Sequence, residues 1–465
     1  LAGAIARYFL PCAISAKFAQ LTKSNLIIMK RPVRVFKFGG SSLKDAAAIK
    51  NVANILRDFK DERLVIVVSA MGKTTNAMEE VAGAHAAQSG KAFDLLNEIK
   101  AQHYRIMDDL FPSQKEEVYA AVNDVFVEVE WVLEEEPHEN YDYMYDQIVS
   151  VGELASSKIL SAFLNQLELK TSWVDARDVI LTDDIFREGW VQWAETESRA
   201  EKIVGPLLET SGFVLTQGFI GSTTENFTIT LGREGSDYTA AIFSFCLNAQ
   251  DMTIWKDVPG VLTADPRKFE NVTLLDRLSY REAIEMTYYG AKVIHPKTIK
   301  PLQNKSIPLM VKSYINPAGA GTYISDEVED NYPPMVAIEG DQVLLQISTR
   351  DFSFVAEHHI RELFNLIAEL RIQVNMMQNS AISFSLCVND VDDKADRFAQ
   401  RIETDFKVMM DRGLELITVR HHQPAIMEEL RRGKIVLLEE RIKNTTIQMV
   451  VKDVPVMRRR DTPTE

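Results

Sequence analysis

The run Val33-Arg34-Val35-Phe36-Lys37-Phe38-Gly39-Gly40-Ser41-Ser42-Leu43-Lys44-Asp45 decides how the rest of the chain is read. Valine and phenylalanine crowd its first half and suit a pleated strand. The glycine pair ends that strand, and Asp45 opens a helix whose Ile49, Val52 and Leu56 fall on one face. Leu64 to Val68 is then an unbroken aliphatic run, as expected of a strand covered on both faces. Strand, crossover helix and strand make a parallel pair. Ligands of such open α/β sheets bind outside the carboxyl ends of the strands, where Lys37 and the Gly39-Gly40 turn fall.

The alternation continues downstream, with a helix from Gly152 and strands at Thr171 to Val174, Gly212 to Thr216, Phe227 to Thr230 and Met252 to Trp255. Residues 79 to 136, helical and acidic, read as a solvated excursion. The turn-rich Ser313 to Thr322 reads as a domain boundary. Beyond it, strand Val343 to Ser348, a helix, and strands Ile372 to Met377 and Ile382 to Val388 are followed by a helix at 393 to 405. Strand Leu414 to Val419, a helix at 424 to 432, and strands Lys434 to Leu438 and Thr445 to Val451 repeat the pattern, a paired small α+β module. Residues 453–465 read as a tail.

Composition removes several classes of function. Lys plus Arg (52) against Asp plus Glu (67) leaves a net charge of −15, a field that opposes nonspecific nucleic-acid binding. A small anionic ligand then needs a local basic site. Cys12, Cys246 and Cys387 lie too far apart for a zinc site or disulfide framework, and no histidine stands at a metal-ligand spacing, so no protein-held metal is expected. No apolar run reaches the roughly 18 to 20 residues of a membrane span. Residues 1–28 hold no acidic residue and resemble a transit peptide in composition. A leader or misassigned start, outside the fold, is the reading adopted, with a cytoplasmic location.

Three loops carry the chemistry. Lys37, the glycine turn and the following helix can bring an ammonium and backbone N–H groups onto phosphate oxygens, although a glycine pair is also a plain turn. Gly72-Lys73-Thr74 imitates the end of a Walker A loop, but Val67 stands where that motif needs glycine. No G-x-G-x-x-G occurs either. The second loop, Thr230 to Ala240, sets Arg233 and Glu234 between glycines before a Ser236-Asp237 helix start. The third, Lys256 to Arg267, is a Pro/Gly loop whose charges can hold ribose and phosphate.

These loops resemble the aspartate kinases of the amino-acid kinase superfamily. The resemblance rests on Lys37-Phe38-Gly39-Gly40-Ser41-Ser42, Ser150-Val151-Gly152-Glu153, Leu231 to Ala240, Asp257-Val258-Pro259-Gly260 with Asp265-Pro266-Arg267, and Gly290-Ala291-Lys292-Val293-Ile294-His295-Pro296-Lys297. It runs from about residue 33 to 452. It implies an α/β fold, an open and mainly parallel sheet of the amino-acid kinase type over 30–320, followed by two ferredoxin-like (βαββαβ) ACT domains over 340–452. The implied reaction is ATP-dependent phosphorylation of the side-chain carboxylate of L-aspartate to 4-phospho-L-aspartate, the committed step toward lysine, threonine and methionine, with Mg²⁺ bound to ATP. The short segment after Lys452 leaves no room for a fused homoserine dehydrogenase, so one activity is expected.

By the same resemblance Lys37, Arg233 and Asp237 are catalytic, and Gly39, Gly40 and Ser41 cradle the transferring group. Ser69, Thr75, Glu153, Arg233 and Asp237 form the aspartate pocket, while Asp257, Leu262, Arg267 and Lys292 face the nucleotide. Many relatives have an aromatic residue where Leu262 stands, so an aliphatic adenine contact is expected there. The ACT pair implies a homodimer inhibited by lysine or threonine through Ser348, Asn375, Gln378 and Asn379. Asn375 replaces an aspartate common in lysine-sensitive relatives, which favours threonine or weak lysine inhibition. Two rivals stand beside this reading: a kinase of the same fold with another acceptor, and a non-catalytic amino-acid sensor.

Overall fold

The computed structural model describes residues 31–113, 116–290, 294–327, 331–350 and 353–454. The leader, Lys292 and the tail beyond Val454 therefore lie outside the described residues. Strand β1 (Val33–Phe38) sits inside an eight-stranded sheet of order β3-β4-β2-β1-β7-β9-β10-β8. The other members are β2 (Arg63–Val68), β3 (Thr171–Trp173), β4 (Phe213–Gln217), β7 (Asp251–Lys256), β8 (Arg277–Ser279), β9 (Leu309–Ser313) and β10 (Thr322–Ser325). From β3 across to β9 every pairing is parallel, and β10 turns back against β9. A hairpin, β5 (Ile220–Ser222) and β6 (Thr228–Thr230), stands after β4.

Alternation along the strands builds two cores. Phe36, Phe38, Ile66, Val68, Leu215 and Trp255 meet helices α1 (Ala46–Arg57), α2 (Thr74–Ala86), α3 (Ala92–Leu110), α4 (Glu116–Glu134), α5 (Tyr141–Val149) and α6 (Val151–Gln166). Val33, Val35, Val65, Val67, Met252 and Ile254 meet α7 (Ala176–Val179), α8 (Trp193–Thr210), α9 (Gly235–Cys246), α10 (Tyr280–Tyr288) and α11 (Pro296–Asn304). Asp45 caps α1 by accepting the Ala48 N–H at 2.8 Å. The expected solvated excursion is corrected here. Leu96, Ile106, Met107, Phe126, Val129 and Leu133 of α3 and α4 are buried in the first core, and each such side chain contributes roughly 1.5–3 kcal/mol. Their acidic residues occupy only the outer faces of amphipathic helices.

The turn-rich 313–322 passage is the β9–β10 hairpin turn. The first sheet ends at Ser325 and the next begins at Met335, so the change of sheet falls just past the expected boundary. The second sheet is antiparallel, of order β12-β13-β11-β14-β16-β15. Its strands are β11 (Met335–Thr349), β12 (Val374–Asn379), β13 (Ser383–Asn389), β14 (Phe406–Arg420), β15 (Lys434–Ile442) and β16 (Thr446–Asp453), with helices α12 (Glu357–Glu369), α13 (Lys394–Ile402) and α14 (Pro424–Arg431). β11 and β14 pair along 15 residues each, through register shifts between Glu339 and Leu344. Each long strand thus serves two ferredoxin-like halves. The second half takes its fourth strand from Met335–Glu339 and has one helix, α14, among the described residues, so it departs from a full βαββαβ unit.

Candidate active site

Parallel register brings four strand ends to one level: Phe38 lies beside Val68 and Trp255, and Val68 beside Gln217. The loops that leave these ends touch because of glycine. A Cβ on Gly40 would stand 2.7 Å from the Gly72 carbonyl and 2.8 Å from that of Ala70. Instead Gly72 N–H donates to the Gly40 carbonyl at 3.0 Å and Ser69 N–H to Phe38 at 3.1 Å. The Walker-like Gly72-Lys73-Thr74 string is thus the wall against which the glycine turn rests. On the other side, a Cβ on Gly218 would meet Ser236 at 2.5 Å. Two left-handed residues, Gly232 (φ +78°) and Glu234 (φ +54°), then aim the start of α9 at the sheet.

Lys37 continues the Val33–Val35 face, so it projects toward that helix start. Its Nζ lies 2.6 Å from Asp237 Oδ1, and both residues are buried. The Nζ of Lys256, the last residue of β7, lies 3.7 Å from Asp237 Oδ2. Burial pushes the Asp237 carboxyl up, but the two ammonium groups outweigh it and hold it below its ordinary value. Across the β2 end, Glu153 in the first turn of α6 is 2% exposed. Its Oε1 accepts only long hydrogen bonds, from Ala70 N–H at 3.4 Å and Thr75 Oγ1 at 3.5 Å, and Oε2 has no partner among the described residues. Burial pushes this carboxyl up to about 8, which the Ala70 N–H, Thr75 hydroxyl and Lys37 charge offset only in part.

Half-buried Ser69 borders the same space, and its carbonyl accepts Ser156 Oγ at 2.8 Å. Gly39, Gly40 and exposed Ser41 line the turn after Lys37. Arg233 is exposed at the loop tip. Asp257 is exposed just past Lys256, and half-buried Leu262 bridges to Leu274. Arg267 is 86% exposed and closes on Asp265 at 2.8 Å. This local pair leaves it at the outer edge, away from the Lys37–Asp237 centre.

The expected effector residues divide. Gln378 and Asn379 are exposed on edge strand β12, and Ser348 Oγ reaches the Lys407 carbonyl at 3.5 Å. Asn375 instead donates inward, to Gln342 Oε1 at 2.8 Å and Asn389 Oδ1 at 2.7 Å, beside the β11 register shift. Two positioning groups escaped the sequence reading. Asp146, buried on α5, accepts Thr230 N–H at 3.0 Å, Thr230 Oγ1 at 2.7 Å and Arg187 N–H at 2.8 Å. It thereby anchors the entry to the Arg233 loop, and burial raises it to about 6 against those bonds. Lys256 is the other, visible in sequence only as one charge in a charged loop.

A family model described as the amino acid kinase family matches residues 32–313. The chain belongs to the amino acid kinase family. It is 34% identical over 360 residues to lysine-sensitive aspartokinase 3 of Escherichia coli K12, a match spanning 76% of this chain and 78% of the relative. It is 32% identical to the chloroplastic aspartokinase 2 of Arabidopsis thaliana, covering 76% of this chain and 66% of that one. The crystal structure of E. coli aspartokinase III with aspartate and ADP in the R-state superposes with a TM-score of 0.77 at 26% identity, over 90% of this chain and 96% of that one. The lysine and aspartate T-state of the same enzyme gives 0.76, over 91% and 96%. Within the family its place is among the aspartokinases.

Proposed function

We propose that the protein transfers the terminal phosphoryl group of ATP to the side-chain carboxylate of L-aspartate, giving 4-phospho-L-aspartate and ADP. The observation that carries this reading is the buried Lys37–Asp237 pair at aligned strand ends, with the unsatisfied Glu153 carboxyl across from it. An aspartate carboxylate, reference pKa ~3.9, is already ionised at neutral pH and needs no catalytic base. Repulsion between that anion and the polyphosphate is the obstacle, so the work falls on Lys37, the N–H groups of the Gly39–Ser41 turn and Arg233. Asp237 holds Lys37 in place, and Glu153 receives the substrate ammonium. Asp257 and Leu262 face the nucleotide, and Lys292 is assigned there by motif alone.

Among the described residues no three His, Cys or acidic groups are gathered to hold a metal. Magnesium bound to ATP would neutralise part of the phosphate charge. Residues 340–452 form the regulatory part of a cytoplasmic homodimer that responds to lysine or threonine. The E. coli relative is called lysine-sensitive and was solved with lysine; inward-bound Asn375 here weakens the case for lysine. Hydroxylamine trapping tests the reaction. Aspartyl hydroxamate should accumulate in step with ADP, and ADP release without it would refute the acceptor.

A further inference from the structure

The helix side of the second half carries a groove that the proposed reaction does not use. Its volume is about 640 Å³, within the roughly 300–1,000 Å³ typical of small-molecule sites. Pro424, Met427, Glu428 and Arg431 recur at helical spacing along one flank of α14 and form one wall. The other wall comes from the β15–β16 pair, where Arg441 stands directly opposite Ile447. Met427 and Ile447 are buried and belong to the core that also takes in Ala264 and Phe269, so the apolar floor is anchored from behind. His422 and Arg432 close the groove at the two ends of the helix.

Charge decides what the groove can hold. Arg431 is already paired, since its Nη2 donates to Glu439 Oε2 at 2.5 Å. The side chains of Arg432, Arg441, His422 and Glu428 have no hydrogen bond or ion pair to another described residue. Two free guanidinium groups against one free carboxylate leave a surplus of one positive charge before His422 is counted, in a chain whose net charge is −15. A zwitterionic amino acid would occupy one arginine and Glu428 and leave the second arginine unmatched. A phosphate monoester carries close to two negative charges at neutral pH and can take both guanidinium forks. A flat ring then lies against Met427, Ile447 and Pro424, and an amino group on that ring donates to Glu428. We infer that this groove is a binding site for an amino-bearing purine nucleoside monophosphate, separate from the nucleotide site at the strand ends of the first sheet.

Photolabelling of the full chain with azido-substituted AMP, followed by peptide mapping, tests this without any turnover. Label should appear within residues 422–447. AMP should protect that segment at least about tenfold better than adenosine, which lacks the phosphate, or inorganic phosphate, which lacks the ring. The double variant Arg432→Gln, Arg441→Gln should lose labelling there by at least about tenfold, while label in the first-sheet half stays within about twofold. Both arginines are exposed, so the substitutions touch no core. If the double variant does not fold, either single substitution should lower the labelling at least about threefold. Label confined to the first half, unchanged labelling in the variants, or equal protection by adenosine would overturn the site. Protection by threonine or lysine in place of AMP would make the groove an amino-acid site and overturn the nucleotide assignment. If the parent makes no aspartyl hydroxamate, the acceptor assignment fails on its own, and the label within residues 422–447 still decides the groove.

Discussion

Replacing Glu153 by glutamine should make the protein more stable, and increasingly so as pH rises. Burial lifts this carboxyl from its ordinary 4.5 to about 8. Between those values the folded chain binds a proton that the unfolded chain has released, so stability falls as pH climbs through the window, at up to about 1.4 kcal/mol per pH unit. The accumulated penalty is roughly 3 kcal/mol at pH 7 and rises to a plateau of roughly 5 above pH 8. Glutamine fills the same space and carries no charge, so the variant escapes the penalty while all other titrations cancel in the difference. Unfolding of a chain this long need not be two-state, so the readout is the difference in apparent Tm across pH. It should be near zero at pH 5 and of the order of 5 °C at pH 8. The same variant should bind aspartate poorly, because the substrate ammonium draws Glu153 into its ionised form. Calorimetry at pH 7 in buffers of differing ionisation enthalpy should accordingly show about one proton released per aspartate bound by the parent. A Tm difference that does not vary with pH would refute the reasoning, as would aspartate binding without proton release.

Lys37→Ala should lower turnover by on the order of 10² to 10³, whereas Arg233→Ala should act mainly on the aspartate KM; steady-state kinetics with matched effects on both parameters would reverse the assignments. Arg420→Ala leaves Glu282, 6% exposed, without its main partner and should lower stability by roughly 3 kcal/mol, read by denaturant unfolding against Arg420→Lys. Titration with lysine and threonine should give inhibition stronger for threonine in a homodimer; a monomer by light scattering that responds to neither would remove the regulatory role of residues 340–452.

Periodicity exposed the kinase half because each signal there was local. The Val33–Asp45 run became a strand, a glycine turn and an Asp45-capped helix; the clusters around Gly39 and Asp257 follow strand ends of the first sheet, and the one around Gly232 follows the β5–β6 hairpin. The misreadings come from features that depend on distant partners. Acidic outer faces on α3 and α4 hid the stripes Leu96–Ile99–Met107 and Val122–Phe126–Val129 that reach the core. The 15-residue lengths of β11 and β14 were invisible because Glu339–Gly340–Asp341 and Arg412–Gly413 look like turns, and only their pairing makes them a continuous strand with a register shift. Lys256 and Asp146 gain their meaning from Asp237 and Thr230, which lie 19 residues before and 84 after them in sequence and meet them only in the fold.

The route by which the second half can influence the Asp257–Arg267 loop is short, because the two sheets share packing and charge at two places. Ala264 and Phe269, in the loop that continues from Asp257, pack against the core of Val336, Ile417, Val419, Met427 and Met449 in the second half. Val336 N–H also donates to the Thr263 carbonyl at 2.8 Å. Beside this contact, Arg420 at the end of β14 grips Glu282 of α10 with two bonds, at 2.6 and 2.9 Å, and reaches Glu285 at 3.0 Å, while His421 lies 3.1 Å from Glu282. Burial would raise Glu282, but Arg420 holds its carboxyl below the ordinary value, so the clamp stays charged at neutral pH. Helix α10 ends at Tyr288, and His295 caps α11. A tilt of the second half would therefore bear on the Asp257–Arg267 loop through Ala264, Phe269 and Thr263, and on α10 through the Arg420 clamp. Coupling between sites is typically ~1 to 3 kcal/mol. Shifts of that size are within reach of one buried ion-pair clamp and one aromatic contact, without any rearrangement of the Lys37–Asp237 centre.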